Sequence, residues 1–382
     1  MVSLLRISFC LSLAKILSNR RALKSFLITQ LSIFSRNFYA FLPDANKIID
    51  KFAASEELND MRVRIFLSRL VAFACGLMLL VPASYAQKSP AFKAKYKIAE
   101  SADIRILDDN IWDYSLDTIP PKWKEMGEDP RDFVRAPQFA RLVTDYMPDV
   151  LTLQEYSSHM HDELYPRIAK EGYVIAWESG KDWNNTPIFY YEKSVEPLYV
   201  NYHKYTPKQW CNRGTKSFTS IVLKRKSDDK IFAVVNTHLW WKSEKMQPGS
   251  TMARASQLRL IMAEADIIKA KYGNIPIFVV GDMNCEENTV PLQQMIQGGY
   301  VPCYKVAVKY ADQNNGHHIC GPNDGFSKES TRVAPDRENG AIDHCLLLDT
   351  EGKVQVIVFD CIMEEYIVKL TDHYPLLVDA KL

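Results

Sequence analysis

Between residues 100 and 382 the chain repeats one theme: a short apolar run rich in β-branched and aromatic residues, then a break. The runs are "ADIRIL", "DVLTLQ", "YVIAW", "PIFYY", "FTSIVLK", "IFAVVNTHL", "IPIFVV", "AIDHCLLL" and "VQVIVF". Runs this short, with these residue types, are strands rather than helices. Only two amphipathic helical patterns stand out between them, 132–146, which closes on Pro148, and 254–270, which ends near Gly273. A strictly alternating strand–helix chain needs more helices than that. The pattern therefore predicts two packed sheets covered on the outside by helices, all in one domain.

The runs end in polar groups. "RILDDNIW" delivers Asn110, "PDVLTLQEY" Gln154 and Glu155, and "FAVVNTHLWW" Asn236 and His238. "FVVGDMN" delivers Asp282 and Asn284, "GAIDHCLL" Asp343 and His344, and "LTDHYPLLV" Asp372 and His373. Side chains two apart on a strand share a face, so Asp282 and Asn284 are expected in one cleft, as are Asn236 and His238. A single aspartate at a strand end is an ordinary turn former. A whole set of apolar runs ending this way is a site.

Carboxylates and carboxamides without a cysteine cluster suit a hard cation, Mg²⁺ or Mn²⁺, rather than zinc. Histidines beside carboxylates suit proton transfer and stabilisation of a phosphorane-like transition state. The chain has no G-x-S-x-G elbow and no glycine-rich phosphate loop. These residues point to metal-assisted hydrolysis of a phosphoester.

Asn110, the Gln154–Glu155 pair, "NTHL" at 236–239, "GDMN" at 281–284, "IDH" at 342–344 and "TDHYPLL" at 371–377 resemble, in order, the motifs of the endonuclease/exonuclease/phosphatase superfamily. The resemblance covers about 98–382. It implies a four-layer α/β/β/α sandwich of the pancreatic deoxyribonuclease type, with the site at the rim between the sheets. It makes Glu155 the main metal ligand, with Asn110 and Asp372 nearby. Asp282 orients or deprotonates the attacking water, and Asn284 positions water and phosphate. His238 and His373 bind phosphate oxygens or protonate the leaving group, and Asp343 holds the His373 ring. Arg213, in "CNRGTKSF", stands where relatives often place a basic residue that contacts phosphate.

Trp112 follows Asn110 by two, where abasic-site endonucleases carry an acid, and Trp240 follows His238 by two. Both are expected at the cleft, as flat surfaces for a sugar, a base or a lipid headgroup. A small organic phosphate is the favoured substrate. A nuclease reading stays open, with Lys224, Arg225 and Lys226 as a local basic patch. No convincing apolar insertion for membrane contact is seen. A catalytically inactive binding protein needs a lost motif residue, and none is missing.

The amino-terminal part reads differently. "MRVRIFLSRLVAFACGLMLLVPASYAQ" has a basic start, an apolar run from Leu70 to Val81 and small residues at Ser84 and Ala86. This predicts a signal peptide over 61–86, cut before Gln87, with 87–382 as a secreted or periplasmic enzyme domain and no stable membrane anchor. Residues 1–60 are given no function. The whole chain carries a formal net charge of +1, but acidic residues outnumber basic ones beyond residue 86, which argues against a long nucleic-acid grip. Cys303 and Cys320, flanking a loop-like stretch, are the expected disulfide pair.

Overall fold

Each of two sheets is built around a parallel strand pair joined by a helical crossover. A computed structural model describes residues 96–382, apart from 115–117, 120, 126, 177–182, 207–215, 311–315, 319–331, 334–337, 339, 363–365 and 368–369. The first elements are β1 (Ile104–Asn110), α1 (Pro121–Glu125), α2 (Asp132–Tyr146), β2 (Val150–Gln154), α3 (Ser158–Ala169), β3 (Tyr173–Ile175), β4 (Ile188–Tyr191), β5 (Val195–Lys204) and β6 (Ser217–Arg225). There follow β7 (Ile231–His238), α4 (Ser250–Tyr272), β8 (Ile277–Asp282), α5 (Val290–Gln297), β9 (Val301–Pro302), α6 (Cys303–Val306) and β10 (Lys309–Tyr310). Last come β11 (Gly316–His318), β12 (Arg332–Val333), β13 (Asp343–Leu348), β14 (Gln355–Cys361) and β15 (Leu376–Lys381).

The first sheet runs β10-β14-β15-β1-β2-β4-β3 and the second β5-β6-β7-β8-β13-β9, while β11 and β12 pair separately. β1 and β2 are parallel, as are β7 and β8. Parallel neighbours need a crossover, and α2 and α4 lie on those two connections. The carboxyl ends of these four strands carry Asn110, Gln154, His238 and Asp282.

Side-chain parity places the layers. Ile104 and Ile106 of β1, Phe232 and Val234 of β7, and Phe278 and Val280 of β8 share one buried cluster. Gln154 Nε2 donates to Asn236 Oδ1 across the two sheets at 2.7 Å, so these even-numbered residues face the inter-sheet core. The same cluster takes in Phe139, Leu142 and Val143 of α2 and Leu164 and Ile168 of α3. A second cluster packs Leu258, Ile261 and Ala265 of α4 and Leu292 of α5 against Val235 and Val279. The result is the expected α/β/β/α order of layers.

Helix α2 has the bounds its periodicity predicts, and α4 extends the predicted run at both ends to Gly249 and Gly273, which have positive φ. Strand β5 is not among the predicted runs, because it is polar and carries Pro197. Helix α3 was hidden by its internal Pro166 and mixed composition.

Two of the three basic residues at the end of β6 are committed to local acids, and the third to a backbone carbonyl. Lys224 pairs with Glu196 and Asp229, Arg225 with Asp103 and Asp228, and Lys226 Nζ donates to Glu192 O. The Cys303 sulfur lies 3.4 Å from Cys345 Sγ, and the Cys320 partner considered for it lies outside the described residues. Residues 1–86, Arg213 and Cys320 lie outside the described residues. Among those described, no helix is long and apolar enough to cross a membrane.

Candidate active site

Strand direction explains why remote segments meet. β13 and β15 run antiparallel to β8 and β1, so their amino-terminal sides lie at the rim where β1, β2, β7 and β8 end. Asp343 is the first residue of β13, and Asp372 and His373 precede β15. These residues are thus delivered at the start of strands, not at the carboxyl ends of apolar runs as expected.

The rim residues form one connected set. Asn110 Nδ2 donates to Asp282 Oδ2 at 3.0 Å, and His238 Nε2 lies 3.2 Å from the same oxygen and 3.9 Å from Glu155 Oε1. His373 Nε2 lies 3.9 Å from Asp282 Oδ2 and 3.9 Å from Asp372 Oδ1, while its Nδ1 donates to Asp343 Oδ2 at 2.8 Å. His238, Asp282, Asp343 and His373 are all buried, whereas the Glu155 side chain keeps 29% of its surface exposed.

Backbone strain concentrates here. Five described non-glycine residues have positive φ, and three of them are Trp112 (55°), Glu155 (56°) and Asn284 (49°). Each stands just past β1, β2 or β8, where a left-handed residue turns the chain out of the strand. Such conformations cost on the order of 1–3 kcal/mol each and persist only where the surroundings enforce them. The enforcement is visible. Asp113 N donates to Glu155 Oε2 at 2.9 Å, Trp112 N to Asn110 Oδ1 at 3.1 Å and Asn284 N to Asp282 Oδ1 at 2.9 Å. From α2, the buried Arg135 binds Ile111 O (2.7 Å), Trp112 O (2.9 Å) and Leu370 O (2.6 Å), tying the loop after β1 to the loop before β15.

Two corrections follow from the strand ends. β8 stops at Asp282, so Asn284 does not share a strand face with it; its Nδ2 donates to Leu239 O at 3.2 Å and braces the end of β7. β7 stops at His238, so Trp240 leaves the strand line and is buried, with its backbone N donating to Gln257 Oε1 at 2.9 Å. Trp112 is half-buried, stacked on Trp123 at 5.7 Å between centroids with the Arg135 guanidinium 5.5 Å from its ring.

Asn236 and His344 belong to the frame rather than the cleft. Asn236 Nδ2 donates to Leu153 O and Pro187 O, both at 2.8 Å, and stitches the sheets together. His344 Nε2 donates to Cys285 O at 2.9 Å.

Sequence reasoning missed Lys216, at the head of β6. Its buried Nζ lies against both ring nitrogens of His238, 3.1 Å from Nδ1. β6 pairs Ser217 with His238, so the register of the hairpin is the signal that places Lys216 there. A lone lysine after a polar stretch carries no such signal.

Burial and the Lys216 ammonium lower His238, keeping its ring neutral. Burial would raise the Asp282 carboxyl, but His238, His373 and Lys216 together hold it below the usual carboxylate range. Burial also opposes charging His373, yet Asp343, with Asp372 and Asp282, outweighs it and pushes the ring well above the ordinary histidine value. Asp372 is raised by burial and by Glu155 and Asp282, and Asp113 is pushed up to about 6 by burial, Glu155 and Asp132.

That crowding tests the fit of a cation. Glu155, Asp282 and Asp372 bring three carboxylates to one rim, where burial, Glu155 and Asp282 raise Asp372 while, against burial, Lys216 and the histidines lower Glu155 and Asp282; the donor set is that of Mg²⁺ or Mn²⁺. Among the described residues, Asp282, Asp343 and His373 also offer ligand atoms within 4.8 Å of one another. Asp343 and His373 are bonded to each other, however, so the more exposed Glu155 fits the ligand role better. Asn110 Oδ1 already accepts from Trp112 N, and only its second lone pair remains for an ion.

No protein-family model matches the sequence, and no curated protein sequence matches it. Solved structures do match in fold. An endonuclease/exonuclease/phosphatase from Bacteroides vulgatus is 20% identical over 73% of this chain and 98% of its own, with a TM-score of 0.55. A mannosyl-6-phosphatase from Bacteroides thetaiotaomicron is 15% identical over 73% and 100%, with a TM-score of 0.56. The human Nocturnin catalytic domain, with a bound sulfate anion, is 17% identical over 75% and 96%, with a TM-score of 0.52. The chain has the endonuclease/exonuclease/phosphatase fold.

Proposed function

We propose that the chain is a divalent-metal-dependent phosphoester hydrolase, acting on a small organic phosphate outside the cytoplasm. The observation that carries this is the convergence of Glu155, His238, Asp282 and the Asp343–His373 pair at one rim, with Lys216 beside them. Glu155, with Asn110 and Asp372, would hold the ion. When bound, Mg²⁺ or Mn²⁺ supplies electrophilic polarisation of a phosphoryl oxygen.

The chain's own groups divide the remaining work. Asp282 is ionised and fixed by Asn110, His238 and the Asn284 N–H, so it accepts a hydrogen bond from the attacking water and aims it. Its depressed pKa favours orientation over full deprotonation. Lys216 Nζ sits against both ring nitrogens of His238, and its charge favours a neutral ring beside Asp282. The Lys216 ammonium also offsets phosphoryl charge. His373, held protonated by Asp343, stabilises the developing oxyanion or protonates the leaving oxygen at Nε2.

A small ester is favoured over nucleic acid because Lys224 and Arg225 are committed to neighbouring acids, at the end of β6 away from the rim. Export rests on the signal-like segment 61–86. The test is a panel with Mg²⁺ or Mn²⁺: bis-p-nitrophenyl phosphate, sugar phosphates, sphingomyelin, plasmid DNA and RNA. Turnover of the small esters with little cleavage of DNA or RNA is expected. Salt-sensitive nucleic-acid cleavage as the dominant activity overturns the substrate assignment, and no turnover of any member overturns the enzyme.

A further inference from the structure

We propose that Cys303 and Cys345 form a disulfide that closes the β9–β13 edge of the second sheet. This inference is independent of the catalytic reading. β9 and β13 pair antiparallel with Pro302 opposite Leu346 and Val301 opposite Leu347. The ladder ends at Pro302, and Cys303 opens α6 directly after it, one residue beyond the pair that includes Leu346, the neighbour of Cys345. The side chains agree, because the two sulfurs are already 3.4 Å apart. Closing to the roughly 2.05 Å of a bond needs side-chain rotation rather than strand movement.

The surroundings favour the bond. Cys303 and Cys345 are 0% and 3% exposed and sit in the inter-sheet core cluster, out of reach of reductants once folded. The cysteines are 42 positions apart in sequence, and longer closed loops gain more from a cross-link. Cys345 follows Asp343 by two on β13, so the tie also secures the strand that carries the carboxylate to His373.

The oxidant is a disulfide, either oxidised glutathione or a thiol–disulfide oxidase. One cysteine, as thiolate, attacks a sulfur of that disulfide and displaces a thiolate, giving a mixed disulfide. The second cysteine's thiolate attacks the bound protein sulfur and expels the other thiolate. Two S–H bonds are lost, and their protons pass to the two leaving thiolates, so the oxidant ends as two thiols. Because both sulfurs end buried, the exchange belongs to folding rather than to the finished fold.

The full chain, unfolded and refolded with reduced and oxidised glutathione, is denatured, alkylated and digested without reduction for peptide mass mapping. The expected product joins the Cys303 and Cys345 peptides, about 2 Da below their sum for the two hydrogens lost, while Cys285 and Cys361 are alkylated. The oxidised protein should melt roughly 5–15 °C above the reduced one, and Cys303→Ala or Cys345→Ala should erase the difference. Full alkylation of both cysteines, or a link from Cys303 to Cys320, overturns the proposal. If either variant fails to fold, the wild-type peptide map alone decides.

Discussion

Asp343 accepts a 2.8 Å hydrogen bond from His373 and is the main influence holding that ring protonated. Asp343→Asn keeps the shape and removes the charge, so kcat should fall roughly 100-fold or more. Because the pKa of His373 drops, the alkaline limb of the kcat–pH profile should move to lower pH. A limb that stays in place would remove His373 from its assigned role. Asp108, deeper on the same strand face as Asn110, gives a separate test in stability. Burial pushes its carboxyl up to about 7, against hydrogen bonds from Thr152 and Gln154 that both reach Oδ1 at 2.6 Å. The folded state therefore holds a proton that the unfolded state has lost between about pH 4 and pH 7, and stability falls as pH rises through that window. A neutral amide oxygen at this position would accept both hydrogen bonds, so Asp108→Asn should flatten the decline by on the order of 2 kcal/mol, read from urea unfolding at pH 5 and pH 8. Equal slopes in the two proteins would refute the buried-acid reading. Residue identity made much of the site legible, since Asp282, Glu155, His238 and His373 each sit in a quoted motif. Lys216 was not legible, because only the register of β6 against β7 carries its Nζ to His238.

At the scale of elements, β7 and β8 approach so closely that one position admits no side chain. Gly281 has φ of +131°, and a Cβ there would lie 2.0 Å from Thr237 O. Gly281→Ala should cost about 3 kcal/mol or more and displace Asp282 with it, so urea unfolding and kcat should both report the damage. Near wild-type values in both would mean that the strand pair adapts and that its stiffness is not what positions Asp282. The strand theme predicted most of the sheets but misjudged direction. Asp372 and His373 precede β15, and Asp343 opens β13, because an antiparallel strand brings its start to the rim where a parallel one brings its end. β5 was not among the quoted runs because of Pro197 and its polar alternation, although the strand pairs along β6.

At the scale of the molecule, the described chain is held by a buried ionic staple as well as by its core. Arg105 bonds Asp379 Oδ1 and Oδ2 at 2.7 and 2.8 Å, and also Tyr96 O (2.6 Å) and Tyr146 O (2.8 Å), joining the segment before β1 to α2 and β15. Arg105→Ala leaves Asp379 buried without its cation and should cost about 3–5 kcal/mol in urea unfolding; a loss below about 1 kcal/mol would show the pair to be incidental. None of this was readable from composition, because the pair spans most of the described chain and neither residue ends a motif. The sandwich exists, on this account, to bring four parallel-strand ends and two antiparallel-strand starts around one divalent ion. The most direct test is the hydrolysis rate, with Mn²⁺ and after chelation, of whichever phosphoester the full chain turns over fastest, measured for wild type and Glu155→Gln. The account predicts turnover lost on chelation, restored by Mn²⁺ and reduced about 1,000-fold or more in the variant at an unchanged unfolding midpoint; metal-independent turnover, or a variant as fast as wild type, would contradict it.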